Sequence, residues 1–169
     1  MPHSRIDCKK EIIEFITSRH ISGQSILDVG PGAGIYADML STSNIIIDGV
    51  EIYEPYIRTY KLDTKYRNIY LDDIRTFKFD HYDYIIMGDV LEHLSVKDAQ
   101  QLLVRIKDKY TYLIVCIPFL YPQDEVGGNV HEKHFQPDLT HELFLDRYIG
   151  FKLLHKEKWT GAYYKERKT

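Results

Sequence analysis

An α/β fold with a mostly parallel sheet is predicted by three observations in the first third of the chain. The apolar run 26–29 ends in glycines at alternate positions from Gly30, a pattern typical of a buried strand, a tight turn and a helix start. A second apolar run at 45–50 follows a short helical pattern, so the two strands form a parallel βαβ unit. Glu51 then stands where nucleotide-binding folds place an acid for ribose hydroxyls; the alternative is an acid that only caps the helix beginning near Glu54. The sequence therefore predicts a layered α/β domain with a nucleotide cradle.

Length and composition predict one domain spanning residues 1–169. With 44% hydrophobic and 28% charged residues, the chain is typical of a globular protein. A formal charge of -3 gives no basic face for a nucleic-acid backbone, so we expect a small-molecule substrate and no nucleic-acid partner. The N-terminus has no secretory signal, and no apolar run reaches a bilayer span, which favours a cytoplasmic protein without a membrane partner. Cys8 and Cys116 are expected to be free thiols, and the oligomeric state is left open.

The rest of the chain alternates helical and strand patterns. Apolar residues at helical spacing predict an amphipathic helix over residues 7–19, within an N-terminal segment 1–22. The later elements are predicted as helices at 53–62, 95–107 (capped by Ser95) and 137–148, strands at 68–71, 82–87 and 112–117, and a hairpin over 151–165 with its turn at Thr160 and Gly161. Residues 119–136 form a long loop, and long loops in compact domains are often functional.

The order of these elements resembles the class I S-adenosylmethionine-dependent methyltransferases over roughly residues 20–165. Four motifs carry the resemblance: Leu-Asp-Val-Gly-Pro-Gly-Ala-Gly at 27–34, Glu51, Leu-Asp-Asp-Ile at 71–74, and Asp-Val-Leu-Glu-His-Leu at 89–94. The resemblance implies a Rossmann-like, three-layer sandwich with a seven-stranded sheet in the order 3-2-1-4-5-7-6 and strand 7 antiparallel. It also implies S-adenosylmethionine as the cofactor. The expected reaction is methyl transfer to an oxygen, nitrogen or carbon of a small molecule, including metabolite or glycan precursors.

The resemblance further implies which residues hold the cofactor. The glycines of the cradle pass under its methionine part, Glu51 holds the ribose hydroxyls, and Asp73, with Asp72 as the adjacent alternative, accepts from the adenine amino group. Gly88, Asp89 and their neighbours line the amino-acid end of the cleft. The full expected set is Asp28, Gly30, Gly32, Gly34, Glu51, Ile52, Asp73, Ile74, Gly88, Asp89 and Leu91.

Methyl transfer from a sulfonium is an in-line displacement. Positioning of the two reactants alone can lower its activation barrier by as much as about 7 to 11 kcal/mol. An oxygen or nitrogen nucleophile still loses a proton, and His131 and His134 on the 119–136 loop are the candidate catalytic residues. The alternative is a surface loop that happens to contain histidines. These two histidines with Glu132 and either Asp89 or Asp124 offer mixed metal ligands, but their spacing matches no recognised zinc pattern, so no metal site is expected.

Two other functions remain open at this point. The same cradle and acid suit a nicotinamide-dependent oxidoreductase, although the 89–94 motif disfavours it. The chain also suits a non-catalytic S-adenosylmethionine-binding partner subunit. Glu92 and His93 are expected mainly to fix the turn after the fourth strand.

Overall fold

One seven-stranded sheet forms the centre of the protein. The computed structural model describes residues 8–19 and 21–167, so the predicted start of the N-terminal helix at position 7 lies outside the described residues. The strands are β1 (Ser25–Val29), β2 (Ile46–Glu51), β3 (Ile69–Leu71), β4 (Tyr82–Gly88), β5 (Tyr110–Pro118), β6 (Lys152–Lys156) and β7 (Thr160–Glu166). Their order is β3-β2-β1-β4-β5-β7-β6, with β7 antiparallel to both neighbours and the other pairs parallel. The predicted strand order and the antiparallel seventh strand are confirmed.

Five α-helices accompany the strands in the described part of the chain, one before β1 and four between strands. They are α1 (Lys9–Thr17), α2 (Ile35–Leu40), α3 (Glu54–Thr59), α4 (Val96–Arg105) and α5 (His141–Arg147), with 3-10 turns at Leu62–Thr64, Leu91–His93 and Val130–Glu132. Ser95 caps α4 as predicted, because its hydroxyl accepts from the backbone N–H of Asp98 at 3.1 Å. None of these helices combines the length and the apolar character needed to cross a membrane.

The two faces of the sheet pack into separate hydrophobic clusters. Successive strand residues point to opposite faces, so Ile26 joins one cluster while Leu27 joins the other. The Ile26 cluster contains residues of α1 and α2, and the Leu27 cluster contains residues of α4 and α5. The result is the predicted three-layer sandwich, with both faces of the parallel strands buried.

Two local predictions about the last third of the chain were wrong. Thr160 and Gly161 lie in β7, paired with Pro118 and Ile117 of β5, so the hairpin turn falls at residues 157–159 instead. Pairing with the long central strand extends β7 beyond what local turn propensity suggests. The final helix begins at His141 and not at 137, because the side chain of Thr140 caps it by accepting from the N–H of Leu143.

Candidate active site

Two adjoining cavities open beyond the carboxyl ends of the parallel strands. Cavity 1 has a volume of about 660 Å³ and cavity 2 of about 470 Å³. Their common wall consists of Gly30, Gly32, Asp89, His93 and Glu132. Because ligands in open α/β sheets bind beyond the carboxyl ends of the strands, the two cavities form one candidate site with two compartments.

The glycine turn after β1 forms the floor that the compartments share. Gly30 has a φ of +63°, and its N–H donates to the carbonyl of Val50 at 2.9 Å, which ties the turn to β2. Gly32 has a φ of +52°, and a Cβ added there would meet no protein atom within 4 Å. The backbone at Gly32 therefore borders open space in a conformation that side chains rarely adopt.

The carboxylate of Glu51 is held beneath this turn at the end of β2. The side chain is 4% exposed, its Oε1 accepts from the N–H of Tyr53 at 2.9 Å, and its Oε2 accepts from the N–H of Gly32 at 3.2 Å. Burial raises the pKa of this carboxyl, and the two backbone donors partly offset the effect. Glu51 lines cavity 2, where each of its oxygens retains capacity to accept a further hydrogen bond.

The outer part of cavity 2 contains the residues expected near an adenine ring. Ile52, Asp73 and Ile74 all line it. The carboxylate of Asp73 is already engaged, because it accepts from the guanidinium of Arg75 at 2.9 and 3.0 Å, which lowers its pKa. Asp72, the adjacent alternative, is exposed and does not line either cavity.

Cavity 1 contains a buried ammonium group that the sequence analysis missed. Lys9 on α1 is 1% exposed, and its Nζ lies 3.6 Å from Asp89 Oδ2 and 4.8 Å from the centre of the Tyr36 ring. Asp89 has a φ of +56° immediately after β4, a backbone strain that is common at functional sites. The burial of Lys9 could have been predicted from its spacing. It lies three residues before Ile12 and seven before Ile16, on the same buried face of the helix.

A cluster of Glu92, His93 and His134 forms the wall of cavity 1 beside Asp89. The two imidazole rings lie 4.7 Å apart, and Glu92 is 1% exposed. Neither carboxylate oxygen of Glu92 has a hydrogen-bond partner among the residues described. Desolvation raises the pKa of Glu92 well above its usual range and lowers the pKa of both histidines.

The loop over residues 119–136 is tied to this cluster by backbone hydrogen bonds. The N–H groups of Phe135 and Gln136 both donate to the carbonyl of Glu92, at 2.8 and 3.3 Å. The side chain of Gln136 donates to the carbonyls of Leu91 and Leu94. The loop thus joins the turn after β4 to the wall of the cleft, and it contributes residues to both compartments.

The structure separates the two histidines that were expected to share one role. His134 lines cavity 1 and is 8% exposed, whereas His131 lines cavity 2. Between them, the cavities contain eight of the expected cofactor residues, namely Gly30, Gly32, Glu51, Ile52, Asp73, Ile74, Gly88 and Asp89.

The other three expected cofactor residues lie behind the cavity walls. Asp28 is buried in β1 and accepts from the hydroxyl of Tyr66 at 2.6 Å. Gly34 begins α2 against the side chain of Lys65, and Leu91 is fully buried in the core. Their positions indicate support of the turns that carry the site, because none of the three lines either cavity.

Comparison with known proteins places this arrangement among methyltransferases. The family model described as "Methyltransferase domain" matches residues 3–136. The ubiquinone biosynthesis O-methyltransferase of Rickettsia akari is 28% identical over 85% of this chain and 66% of its own length. The enzyme of the same name from Rickettsia felis is 26% identical over 85% of this chain and 68% of its own length. The chain thus spans about two thirds of the length of these curated relatives.

Solved structures show the same fold at low sequence identity. The magnesium protoporphyrin IX methyltransferase of Synechocystis, crystallised with bound SAH, superposes with a TM-score of 0.66 at 15% identity, covering 95% of this chain and 81% of that one. A S-adenosylmethionine-dependent methyltransferase from Clostridium acetobutylicum gives a TM-score of 0.70 at 12% identity, covering 93% and 89%. With the family match over most of its length, the chain belongs to the methyltransferase domain family, and its predicted resemblance to the class I S-adenosylmethionine-dependent enzymes is confirmed.

Proposed function

We propose that this protein transfers the methyl group of S-adenosylmethionine to a hydroxyl oxygen of a small molecule. The observation that carries the proposal is the two-compartment cleft, in which the glycine turn borders both compartments, the buried carboxylate of Glu51 faces one and the buried Lys9 faces the other. The names of the curated relatives, both O-methyltransferases, support oxygen as the acceptor atom. The family match favours this function over a nicotinamide-dependent oxidoreductase.

The adenosine part of the cofactor fits cavity 2. Glu51 would accept hydrogen bonds from the ribose hydroxyls, Ile52 and Ile74 would contact the adenine ring, and Asp73 would accept from its amino group while it retains Arg75. A carboxylate that is already held by two backbone N–H groups is preorganised, so little side-chain entropy is lost when the ribose binds.

The methionine part crosses the shared wall at Gly30 and Gly32 into cavity 1. Lys9 would hold its carboxylate through the ammonium group, and Asp89 would hold its amino group through the carboxylate. An ion pair of opposite charges on the protein thus matches the opposite charges of the amino-acid end of the ligand. Gly88 beside this end leaves room for the Tyr36 ring, since a Cβ at Gly88 would lie 2.7 Å from it.

The acceptor binds in the rest of cavity 1. Phe119, Tyr121 and Trp159 provide aromatic surface there, and His134 provides a polar group. An aromatic or otherwise flat molecule with a hydroxyl fits this lining, because rings stack on aromatic side chains while a hydroxyl needs a hydrogen-bonding partner.

The reaction needs an aligned oxygen more than it needs a covalent catalyst. The acceptor hydroxyl loses its proton, its oxygen attacks the methyl carbon, and the carbon–sulfur bond breaks with its electron pair left on sulfur. Alignment of the two reactants within the cleft supplies most of the acceleration. Two predictions about the loop stay open: a loop histidine assists this step, and residues 119–136 close over the acceptor. Of the two candidate histidines, His134 lies in the acceptor compartment.

Calorimetry with S-adenosylhomocysteine and, separately, with NAD tests the cofactor. We expect binding of S-adenosylhomocysteine alone; binding of NAD alone would support the oxidoreductase. Transfer of a labelled methyl group to a panel of hydroxyl-bearing small molecules then tests the reaction. Binding of S-adenosylhomocysteine with no turnover on any panel member, but with turnover in a partner protein that requires this chain, would support the non-catalytic subunit instead.

A further inference from the structure

We propose that Glu92, His93 and His134 bind a divalent transition-metal cation of the Zn²⁺ type in the wall of cavity 1. The inference deepens the proposed function and rests on it only for the role of the ion, because binding of the cation itself is a separate property. It also replaces the expectation from the sequence that no metal is bound.

The geometry of the three side chains favours a shared ion. One ligand atom from each residue lies within 4.8 Å of the ligand atoms of the other two. Donor atoms bound to one tetrahedral zinc at about 2.0 to 2.2 Å are about 3.3 to 3.6 Å apart. The three ligand atoms must therefore approach one another by up to about 1.5 Å to share a tetrahedral ion.

The two imidazoles are already oriented as ligands by backbone carbonyls. The Nδ1 of His93 lies 3.2 Å from the carbonyl of Lys133, and the Nδ1 of His134 lies 2.7 Å from the carbonyl of Tyr121. A carbonyl oxygen only accepts, so each Nδ1 carries the hydrogen at these contacts, and Nε2 is the nitrogen left to bind a cation, although the His93 ring also lies within reach of the backbone carbonyls of Glu132 and Asp89. Carbonyl groups that fix the ring and tautomer in this way are the usual outer partners of metal-bound histidines.

The independent observation is the buried carboxylate of Glu92. It is 1% exposed, and neither oxygen has a hydrogen-bond partner among the residues described. A carboxylate without such partners is costly to bury, and a cation between Glu92 and the two histidines would compensate that cost. The cluster is thus more than a group of neighbouring polar residues, because one of its members lacks the partner that its environment demands.

The donor set selects the class of cation. Two imidazole nitrogens with one carboxylate oxygen suit zinc and related transition metals, whereas Mg²⁺ and Ca²⁺ prefer sites made of oxygen atoms. Three protein ligands leave at least one coordination position free, as in catalytic zinc sites. All three residues line cavity 1, which is assigned to the acceptor and to the methionine end of the cofactor, so an acceptor hydroxyl in this cavity can reach the free position.

The ion would act on the hydroxyl of the acceptor. An oxygen that binds a divalent cation has a lowered pKa, so it loses its proton to solvent more readily and attacks the methyl carbon as an anion. His134 is then a ligand and not the proton acceptor. The overall balance is unchanged: the acceptor gains a methyl group, one proton is released, and the sulfonium becomes a thioether.

Metal binding is measured directly on the full chain after treatment with a chelator. We expect one Zn²⁺ per chain by calorimetry, and a Co²⁺ form with the visible absorption of nitrogen and oxygen ligands. Glu92→Gln and His134→Gln should each weaken Zn²⁺ binding by more than about 100-fold, because loss of an outer partner alone typically costs 10- to 100-fold. Circular dichroism of each variant verifies that it is folded.

Two histidine variants outside the cluster serve as controls. His81→Gln removes an exposed histidine, and His155→Gln disrupts a second group in which Cys8, His155 and Glu157 lie close together. Both variants should bind Zn²⁺ as the unmodified chain does. Loss of binding in His155→Gln, with Glu92→Gln unaffected, would assign the cation to the other group and overturn the proposal.

Metal binding by the unmodified chain tests the proposal even if a variant does not fold. Absence of a Co²⁺ spectrum and of stoichiometric Zn²⁺ binding in the unmodified chain would overturn the proposal without any substitution. The failure modes are also distinguishable: methyl transfer that persists unchanged in excess chelator contradicts the role of the ion alone, whereas Zn²⁺ binding without S-adenosylhomocysteine binding contradicts the proposed function alone.

Discussion

Replacement of Glu51 by glutamine should weaken cofactor binding nearly as much as replacement by alanine. Each carboxylate oxygen accepts from a different backbone donor, Gly32 on one side and Tyr53 on the other. The amide group of a glutamine must turn its NH₂ toward one of these N–H groups. One buried donor is then unsatisfied in Glu51→Gln, so the turn loses its support while the ribose loses an acceptor.

The expected magnitude follows from the charge of the lost acceptor. Hydrogen bonds to a charged group are worth about 1.5 to 3 kcal/mol, which corresponds to about 10- to 150-fold in the Kd for S-adenosylhomocysteine. Isothermal calorimetry well below the midpoint of unfolding measures this effect separately from stability. Asp63→Asn is the control, because Asp63 is an exposed acid in the 3-10 turn Leu62–Thr64 that does not line either cavity.

Two results would contradict this reasoning. A Glu51→Gln variant that binds with unchanged affinity would show that the carboxylate does not contact the ribose. An equal loss in Asp63→Asn would show that the overall negative charge of the protein, and not the particular geometry of Glu51, attracts the cofactor.

Three further predictions address other parts of the site. Gly32→Val should abolish binding of S-adenosylhomocysteine in calorimetry, because the valine side chain enters the open space above the turn. Gly23→Val is the control, because Gly23 also has a φ above zero and nothing within 4 Å of an added Cβ. This control measures the cost of backbone strain and should bind the ligand normally. Lys9→Met should weaken the same binding by about tenfold or more through loss of a buried charge, whereas Lys10→Met, on the exposed side of α1, should leave it unchanged. Burial raises the pKa of Asp28 from 3.8 to about 7, so this carboxyl stabilises the fold at low pH and its contribution is lost as the pH rises through 7. Relative to Asp28→Asn, the unmodified chain should therefore lose about 2 to 3 kcal/mol of unfolding free energy between pH 5 and 8 in urea titrations, and a pH-independent difference would contradict the assignment.

The sheet was predicted well because each buried strand produces a short apolar run that is visible in the local sequence. The apolar run 112–117 indicates a buried strand, the run 26–29 does so together with the glycine turn that follows it, and this turn marks the edge at which ligands bind. The boundaries of β7 and α5 were less predictable. They depend on which partner strand is available and which residue caps the helix, and neither is visible in a short window of sequence.

Residues of the candidate site were predictable only where their role follows from their position relative to a neighbouring strand. Glu51 follows from its place after the second strand, but the burial of Lys9 depends on Asp89 and Tyr36, which are distant in sequence. The separation of His131 from His134 has the same origin. The 3-10 turn Val130–Glu132 places His131 in cavity 2, while the chain beyond it returns to pair with Gln123 and brings His134 to cavity 1.

The position of Lys9 links the attachment of helix α1 to ligand occupancy. Because Lys9 is both part of the helix and part of the wall of cavity 1, any ligand that contacts its ammonium also holds the helix against the sheet. By thermodynamic reciprocity, a ligand at 100 times its Kd raises the free energy of detaching α1 by as much as about 2.7 kcal/mol if detachment abolishes binding. The N-terminal helix is thereby a reporter of the filled cleft, since its resistance to local opening rises and falls with the ligand.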